Sequence, residues 1–159
     1  MVPPANCFTV LVIDDLPANR VLLGKVLKNA GYAVVEAGDG RAALDLLEKG
    51  VVMPDLIVTD IEMPVMDGIT FVECIRHLGT PLARVPVIAA SGNADEMMRR
   101  GALAAGCDVF LTKPFDLATL RREIGSLIKA RRQSAGNRGD TPAAESAPNR
   151  IELRLRETK

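Results

Sequence analysis

The chain has 159 residues, 48% of them hydrophobic and 25% charged, which fits one globular domain. Aromatics make up only 3%, with no Trp, so a core has to come from Val, Leu, Ile, Ala and Met. The 20 basic and 20 acidic residues cancel, which disfavours nucleic-acid binding, and no apolar run is long enough to span a bilayer.

The charge is unevenly placed. Residues 1–130 hold 13 basic and 16 acidic residues, net −3, and residues 131–159 hold 7 and 4, net +3. The N-terminal MVPPANC has no cationic start and no apolar stretch before Cys7. Neither a secretory nor a lipoprotein leader is expected, and the expected compartment is the cytoplasm. Cys7, Cys74 and Cys107 are far apart, with no CxxC and no nearby His, so they read as small buried hydrophobes.

Short apolar runs alternate with helical periods along the chain. Phe8–Ile13 reads as a buried strand. From Pro17 to Ala30, Val21, Leu23, Val26, Leu27 and Ala30 recur at helical spacing, with Pro17 suited to the first turn and Gly31 to the stop. Tyr32–Glu36 is a second strand. Asp39 can cap a helix running to about Glu48, closed by Gly50. Leu56–Thr59 is a third strand, and after the Asp67-Gly68 turn a helix spans about Ile69–Leu78. Val85–Ala90 is a fourth strand, followed by a helix over Ala94–Ala104 and then Gly106. Cys107–Leu111 is a fifth strand. Asp116 caps a last helix with Leu117, Leu120, Ile124, Leu127 and Ile128 on one face.

This order is (βα)₅. Strands this apolar are buried on both faces, which predicts a doubly wound, five-stranded parallel sheet of the flavodoxin-like α/β class. The body is expected to fill residues 1–130. Residues 131–149, rich in Gly, Pro, Ser and charge, read as a flexible linker. Residues 151–156 alternate apolar and charged residues; they either fray in solvent or form a strand on an exposed sheet edge.

Ligands of such sheets bind at the carboxyl ends of the strands. The first strand ends in Asp14-Asp15, the third in Asp60 followed by IEMPVMDG, the fourth in Ser91-Gly92 and the fifth in Thr112-Lys113-Pro114-Phe115. Three carboxylates, a hydroxyl and a lysine would share one pocket. Carboxylates repel one another, and Lys113 or a hard divalent cation, best Mg²⁺, would relieve them. A carboxylate there can attack a phosphoryl group, while a cation and a hydroxyl steady its oxygens. The fragments are individually common; their order at successive strand ends is specific.

VLVIDD, LIVTDIEMPVMDG, VIAASG and FLTKPF resemble the signature segments of the receiver domain of two-component response regulators, in the same order. The resemblance covers about residues 7–130. It implies Asp60 as phosphoacceptor, Asp14 and Asp15 as metal-site acids, and the Glu62 main-chain carbonyl as a further Mg²⁺ ligand. It implies Ser91 as the switch hydroxyl, Lys113 as the phosphate partner, Phe110 as the aromatic switch and a cis bond before Pro114. The partner would be a histidine kinase or a histidine phosphotransfer protein. Leu16 departs from the family, where a polar helix cap is frequent, and Ser91 stands where Thr is more usual.

The leading expectation is a phosphorylation-controlled switch, or a step in a phosphorelay, and not an enzyme with a diffusible substrate. With 29 residues after position 130 and no helix-turn-helix pattern, output is expected through protein contacts of the fourth helix, fifth strand and fifth helix, not through DNA. Two alternatives are a phosphorylation-independent scaffold and a phosphatase of the haloacid dehalogenase type. The latter wants an Asp two residues after its nucleophile, where this chain has Glu62. His77 reads as a helix-surface residue, Met97-Met98 as packing or a partner contact, and Arg99 and Arg100 as solvated.

Overall fold

The computed structural model describes residues 7–136. Two units divide the chain, Met1–Ile128 and Lys129–Lys159. Five strands, β1 (Thr9–Ile13), β2 (Ala33–Ala37), β3 (Leu56–Asp60), β4 (Val87–Ser91) and β5 (Val109–Thr112), form one parallel sheet in the order β2-β1-β3-β4-β5. Helices α1 (Pro17–Asn29), α2 (Gly40–Glu48), α3 (Gly68–Arg76), α4 (Glu96–Ala105) and α5 (Leu117–Gly136) follow the strands in turn. This is the expected doubly wound (βα)₅ fold. The strand order reverses between β1 and β3, which opens a crevice at their carboxyl ends.

The alternation of side chains along each strand divides the core into two layers. Leu11 and Ile13 of β1 and Ile57 of β3 face a layer completed by Leu44 of α2 and Phe71 of α3. Val10, Val12 and Val58 face the other layer, with Leu27 of α1 and Leu120 and Ile124 of α5. The central strands β3 and β4 are buried throughout, whereas the edge strand β5 is only partly covered.

Caps fix the helix starts. Asp39 accepts from Ala42 N at 2.8 Å, Asp67 from Thr70 N at 2.8 Å and Asp95 from Met97 N at 3.0 Å. The Asp95 cap starts α4 at Glu96, two residues later than the periodicity suggests. The fourth strand also starts later, at Val87. Pro86 has no N–H to give to a ladder, and Pro81–Arg84 just before it coil into an unforeseen 3₁₀ turn. The apolar face of α1 is corrected more sharply. Val21 and Leu22 are 51% and 54% exposed, while Gly24 and Leu27 are buried. Gly24 faces β2, where a Cβ would come 2.8 Å from Oε1 of the exposed Glu36 side chain, a tip that can swing aside. At the other end, α5 extends to Gly136, six residues into the expected linker. The remaining linker and the possible strand at 151–156 lie outside the described residues.

All three thiols are free, and only Cys107 is buried; burial pushes it up to about 12, so it is inert at neutral pH. Beside it, Arg76 clamps the amino-terminal edge of the sheet. Its Nε and Nη2 donate to Gly106 O at 3.0 and 2.8 Å, and Nη1 donates to Ala83 O and Val85 O at 3.0 and 2.7 Å. Nη2 also pairs with Asp108 at 3.3 Å. Five donors in a rigid fork thus join α3, the 3₁₀ turn, the end of α4 and the start of β5. Arg76→Met is expected to destabilise the fold by about 2–4 kcal/mol, because three carbonyls lose their donors. Lys should recover less than half of that, having no fork. Urea unfolding of the three proteins checks this, and equal midpoints would show the clamp to be idle.

Candidate functional site

The carboxyl ends of β1, β3, β4 and β5 meet as expected. Asp14 and Asp15 leave β1, and Asp60 ends β3, the strand paired directly with β1. One carboxylate oxygen from each of Asp14, Asp15 and Asp60 lies within 4.8 Å of the other two. Asp14 and Asp60 are buried at 3% and 8% exposure, and Asp15 is half-buried.

Each group is held by its neighbours. Asp14 Oδ1 accepts from Leu16 N at 2.9 Å, and Oδ2 accepts from Asn19 Nδ2 at 3.1 Å. Its main-chain carbonyl accepts from Arg20 Nη1 at 2.6 Å. These bonds tie the first turn of α1 to the site. Leu16 sits at the helix N-cap with no side-chain bond, and the Asp14 carboxylate and Pro17 compensate for the missing polar cap. Asn19 and Arg20 carry no chemistry of their own and were legible only as part of the helical run.

Asp60 Oδ1 accepts from its own neighbour Ile61 N at 3.0 Å. The Lys113 ammonium reaches Asp60 Oδ1 at 3.2 Å and Asp14 Oδ2 at 3.4 Å. Burial drives the Asp60 carboxyl above its ordinary value; Lys113 pulls it back, and the Asp14 and Glu62 charges push it up again. Burial opposes the charge on Lys113 too, but the Asp60 and Asp14 carboxylates outweigh it and raise its pKa. The acid pays for its setting and the amine gains from it, as expected where several carboxylates share one cation.

Ser91, fully buried at the end of β4, donates a hydrogen bond to Glu62 Oε1 at 2.5 Å and accepts one from Asn93 N at 3.0 Å. The Glu62 side-chain contact was not foreseen; only its main-chain carbonyl was assigned a part. Lys113 N donates to Ser91 O at 2.7 Å, and the Lys113–Pro114 bond is cis, as the resemblance implied. Phe110 is half-buried on β5, opposite Ala89, and packs against the core layer that contains Phe71.

The loop after β3 is strained. Val65 has φ 70°, and Met66 N donates to Pro64 O across it at 2.8 Å, a tight three-residue turn. A β-branched side chain resists that backbone, and at 83% exposure it gains nothing from burial. Val65→Gly, which has no Cβ to clash at this positive φ, is expected to stabilise the protein by about 1 kcal/mol and raise its melting temperature by about 2–6 °C. An unchanged or lower melting temperature would show the turn to be relaxed.

The profile of the response regulator receiver domain matches residues 10–125. The chain belongs to that family. Receiver domains are the phosphoacceptor modules of two-component systems, bind Mg²⁺ at an acidic pocket and work with histidine kinases or phosphotransfer proteins. This receiver domain is 37% identical over 115 residues to the sensor histidine kinase RcsC of Salmonella typhimurium, covering 72% of this chain and 12% of that one. In structure it is similar to the chemotaxis response regulator CheY4 of Vibrio cholerae, with 30% identity, a TM-score of 0.70, and 77% and 99% of the two chains covered. It is also similar to a chain of the CheX-CheY-BeF3-Mg+2 complex from Borrelia burgdorferi, with 28% identity, a TM-score of 0.69, and 76% and 88% covered. The chain spans 12% to 57% of the length of curated relatives that include sensor kinases and transcriptional regulators. Among the described residues, no helix is long and apolar enough to cross a membrane.

Proposed function

We propose that Asp60 is the phosphoacceptor of this receiver domain and that the phosphoryl group comes from a phosphohistidine on a kinase or phosphotransfer protein. The observation that carries this reading is the buried Asp60 carboxylate, bonded by Lys113 and flanked by Asp14 and Asp15. An Asp60 oxygen attacks phosphorus; an O–P bond forms, the N–P bond breaks, and the histidine nitrogen leaves with the electron pair. Lys113 Nζ, 3.2 Å from Asp60 Oδ1, is close enough to meet an oxygen of a phosphoryl group carried there.

Three carboxylates with no thiol or imidazole among them suit a hard divalent cation, and Asp14, Asp15, Asp60 and the Glu62 main-chain carbonyl are the residues that would hold Mg²⁺. Once bound, that ion neutralises charge building on the phosphoryl oxygens. Ser91 then donates to one of those oxygens, and Phe110 turns toward the space the hydroxyl has left. The face of α4, β5 and α5 carries the output, by protein contact and not by DNA, in keeping with the acidic body. Its exposed Met97, 81% accessible, suits such a contact.

Leu16, Val21 and Leu22, at the start of α1, are each more than half exposed. Exposed apolar side chains this close to Asp14 are candidates for contact with the phosphohistidine donor. A donor charged from ATP would fit a cytoplasmic location for this chain. The module, residues 1–130, switches its own state and turns over no diffusible substrate.

The test is the intact mass of the full chain after incubation with acetyl phosphate and Mg²⁺. The expected result is a phosphoryl adduct of about 80 Da that fails to form when EDTA is added. No adduct from acetyl phosphate or from a phosphorylated histidine donor would sink the reading and leave the phosphorylation-independent scaffold.

A further inference from the structure

We propose that the Glu62 carboxylate is a latch on the Ser91 hydroxyl, which keeps that hydroxyl from the phosphoryl site until phosphorylation draws it away. The proposal rests on the reading of Asp60 as phosphoacceptor and adds a regulatory residue to it. A serine hydroxyl has one proton to donate. Here that proton goes to Glu62 Oε1, and one lone pair is taken by Asn93 N. Ser91 is fully buried, so no water competes for the choice. The hydroxyl can therefore serve Glu62 or a phosphoryl oxygen, but not both. A bond to a carboxylate is about twice as strong as one between neutral groups, so the competition is real.

The latch also reaches α4. Glu62 holds Ser91, Ser91 Oγ holds Asn93 N, Asn93 Oδ1 holds Asp95 N at 2.9 Å, and Asp95 Oδ1 holds Met97 N at 3.0 Å. This relay of hydrogen bonds runs from the loop after Asp60 to the first turn of α4. That helix has only one buried residue, Ala102, near its far end, where Arg76 holds Gly106. At its near end the relay acts beside Met98, which is half-buried against the core. Glu62 is itself exposed and borders a cleft of about 490 Å³ lined by Met63, Ile69 and Met98. The side chain can leave Ser91 into open space without stranding a charge in the core.

The test measures binding of beryllofluoride with Mg²⁺, a stand-in for the phosphoryl group, to the full 159-residue chain. Glu62→Ala is expected to bind roughly tenfold tighter than wild type, the size of one hydrogen bond to a charged group. In a Ser91→Ala background, the same Glu62→Ala change should alter affinity less than about twofold. Glu62→Gln, which keeps the acceptor without the charge, should fall between wild type and Glu62→Ala. Equal tightening in both backgrounds would mean that Glu62 merely repels the anion, and the latch is overturned. No tightening overturns it as well. Failure of wild type and all variants to bind would overturn the Asp60 reading and the latch with it. A second readout needs no ligand: amide exchange at Asn93 and Met97 should speed up in Glu62→Ala, and unchanged exchange would show that the relay does not depend on Glu62.

Discussion

Asp60→Asn is expected to take up no phosphoryl group from acetyl phosphate while becoming more stable than wild type at neutral pH in the absence of Mg²⁺. The first effect follows from chemistry: an amide is no nucleophile toward phosphorus, and it removes a ligand from the acidic cluster. The second follows from burial. The Asp60 carboxyl is raised above its ordinary 3.8, chiefly by desolvation, so the folded state holds its proton more tightly than the unfolded chain does. The sign is then fixed. The contribution to stability is full below about 3.8 and is lost as pH rises through the folded-state value. At pH 7 the ionised Asp60 therefore weighs against folding, and Asn does not.

Thermal unfolding of both proteins from pH 3 to pH 8 checks this. The gap should be largest at neutral pH and close as the solution is acidified. Adding Mg²⁺ should raise the wild type more than the variant, since a ligand stabilises whichever form binds it. A variant less stable than wild type at pH 7 would mean that the Lys113 pair outweighs the desolvation of Asp60.

Gly68→Ala is expected to be the most damaging single methyl in the molecule. Gly68 opens α3, and its N–H donates to Ile61 O at 2.9 Å. A Cβ at this position would stand 2.3 Å from Asp60 O and 3.0 Å from Ile61 Cα. Both are backbone atoms at the buried carboxyl end of β3, so neither can swing aside as a side chain would. The strand end carrying Asp60 or the start of α3 must move. Destabilisation of at least about 3 kcal/mol is expected, well beyond ordinary overpacking. Protein that still folds at low temperature should bind beryllofluoride at least about tenfold more weakly, since small misplacements of a reacting group are costly. Gly92→Ala is the control: it neighbours Ser91, but its Cβ would meet nothing within 4 Å. Near-equal melting temperatures for the Gly68 and Gly92 variants would refute the close approach.

Much of the fold was legible because its physics is local. Apolar runs such as VLVI and LIV are buried on both faces, and these runs alternate with stretches of helical period. Asp39 and Asp116 announce helix starts through bonds to amides three residues ahead. Asp14, Asp15, Asp60, Ser91 and Lys113 were legible for a related reason. Polar groups placed directly after buried parallel strands are brought to one edge by the right-handed crossovers, whatever the details of packing.

The rest depended on contacts between distant segments. The apolar face of α1 was misjudged at Val21, because the face that packs carries Gly24 and Leu27, and helical spacing alone does not say which side meets the sheet. The late start of β4 reflects the 3₁₀ turn that precedes it. The Arg76 clamp joins carbonyls up to 30 residues away. The Glu62–Ser91 bond spans 29 residues and could not be read from either neighbourhood. By itself, the sequence determined the order of strands and helices, the family, and which acids, hydroxyl and lysine share the site, since burial and short-range bonding act within a few residues. The tertiary structure alone decided which helix face docks, which carboxylate Lys113 meets and where the Ser91 proton goes, because those outcomes are set by atoms that meet only after folding.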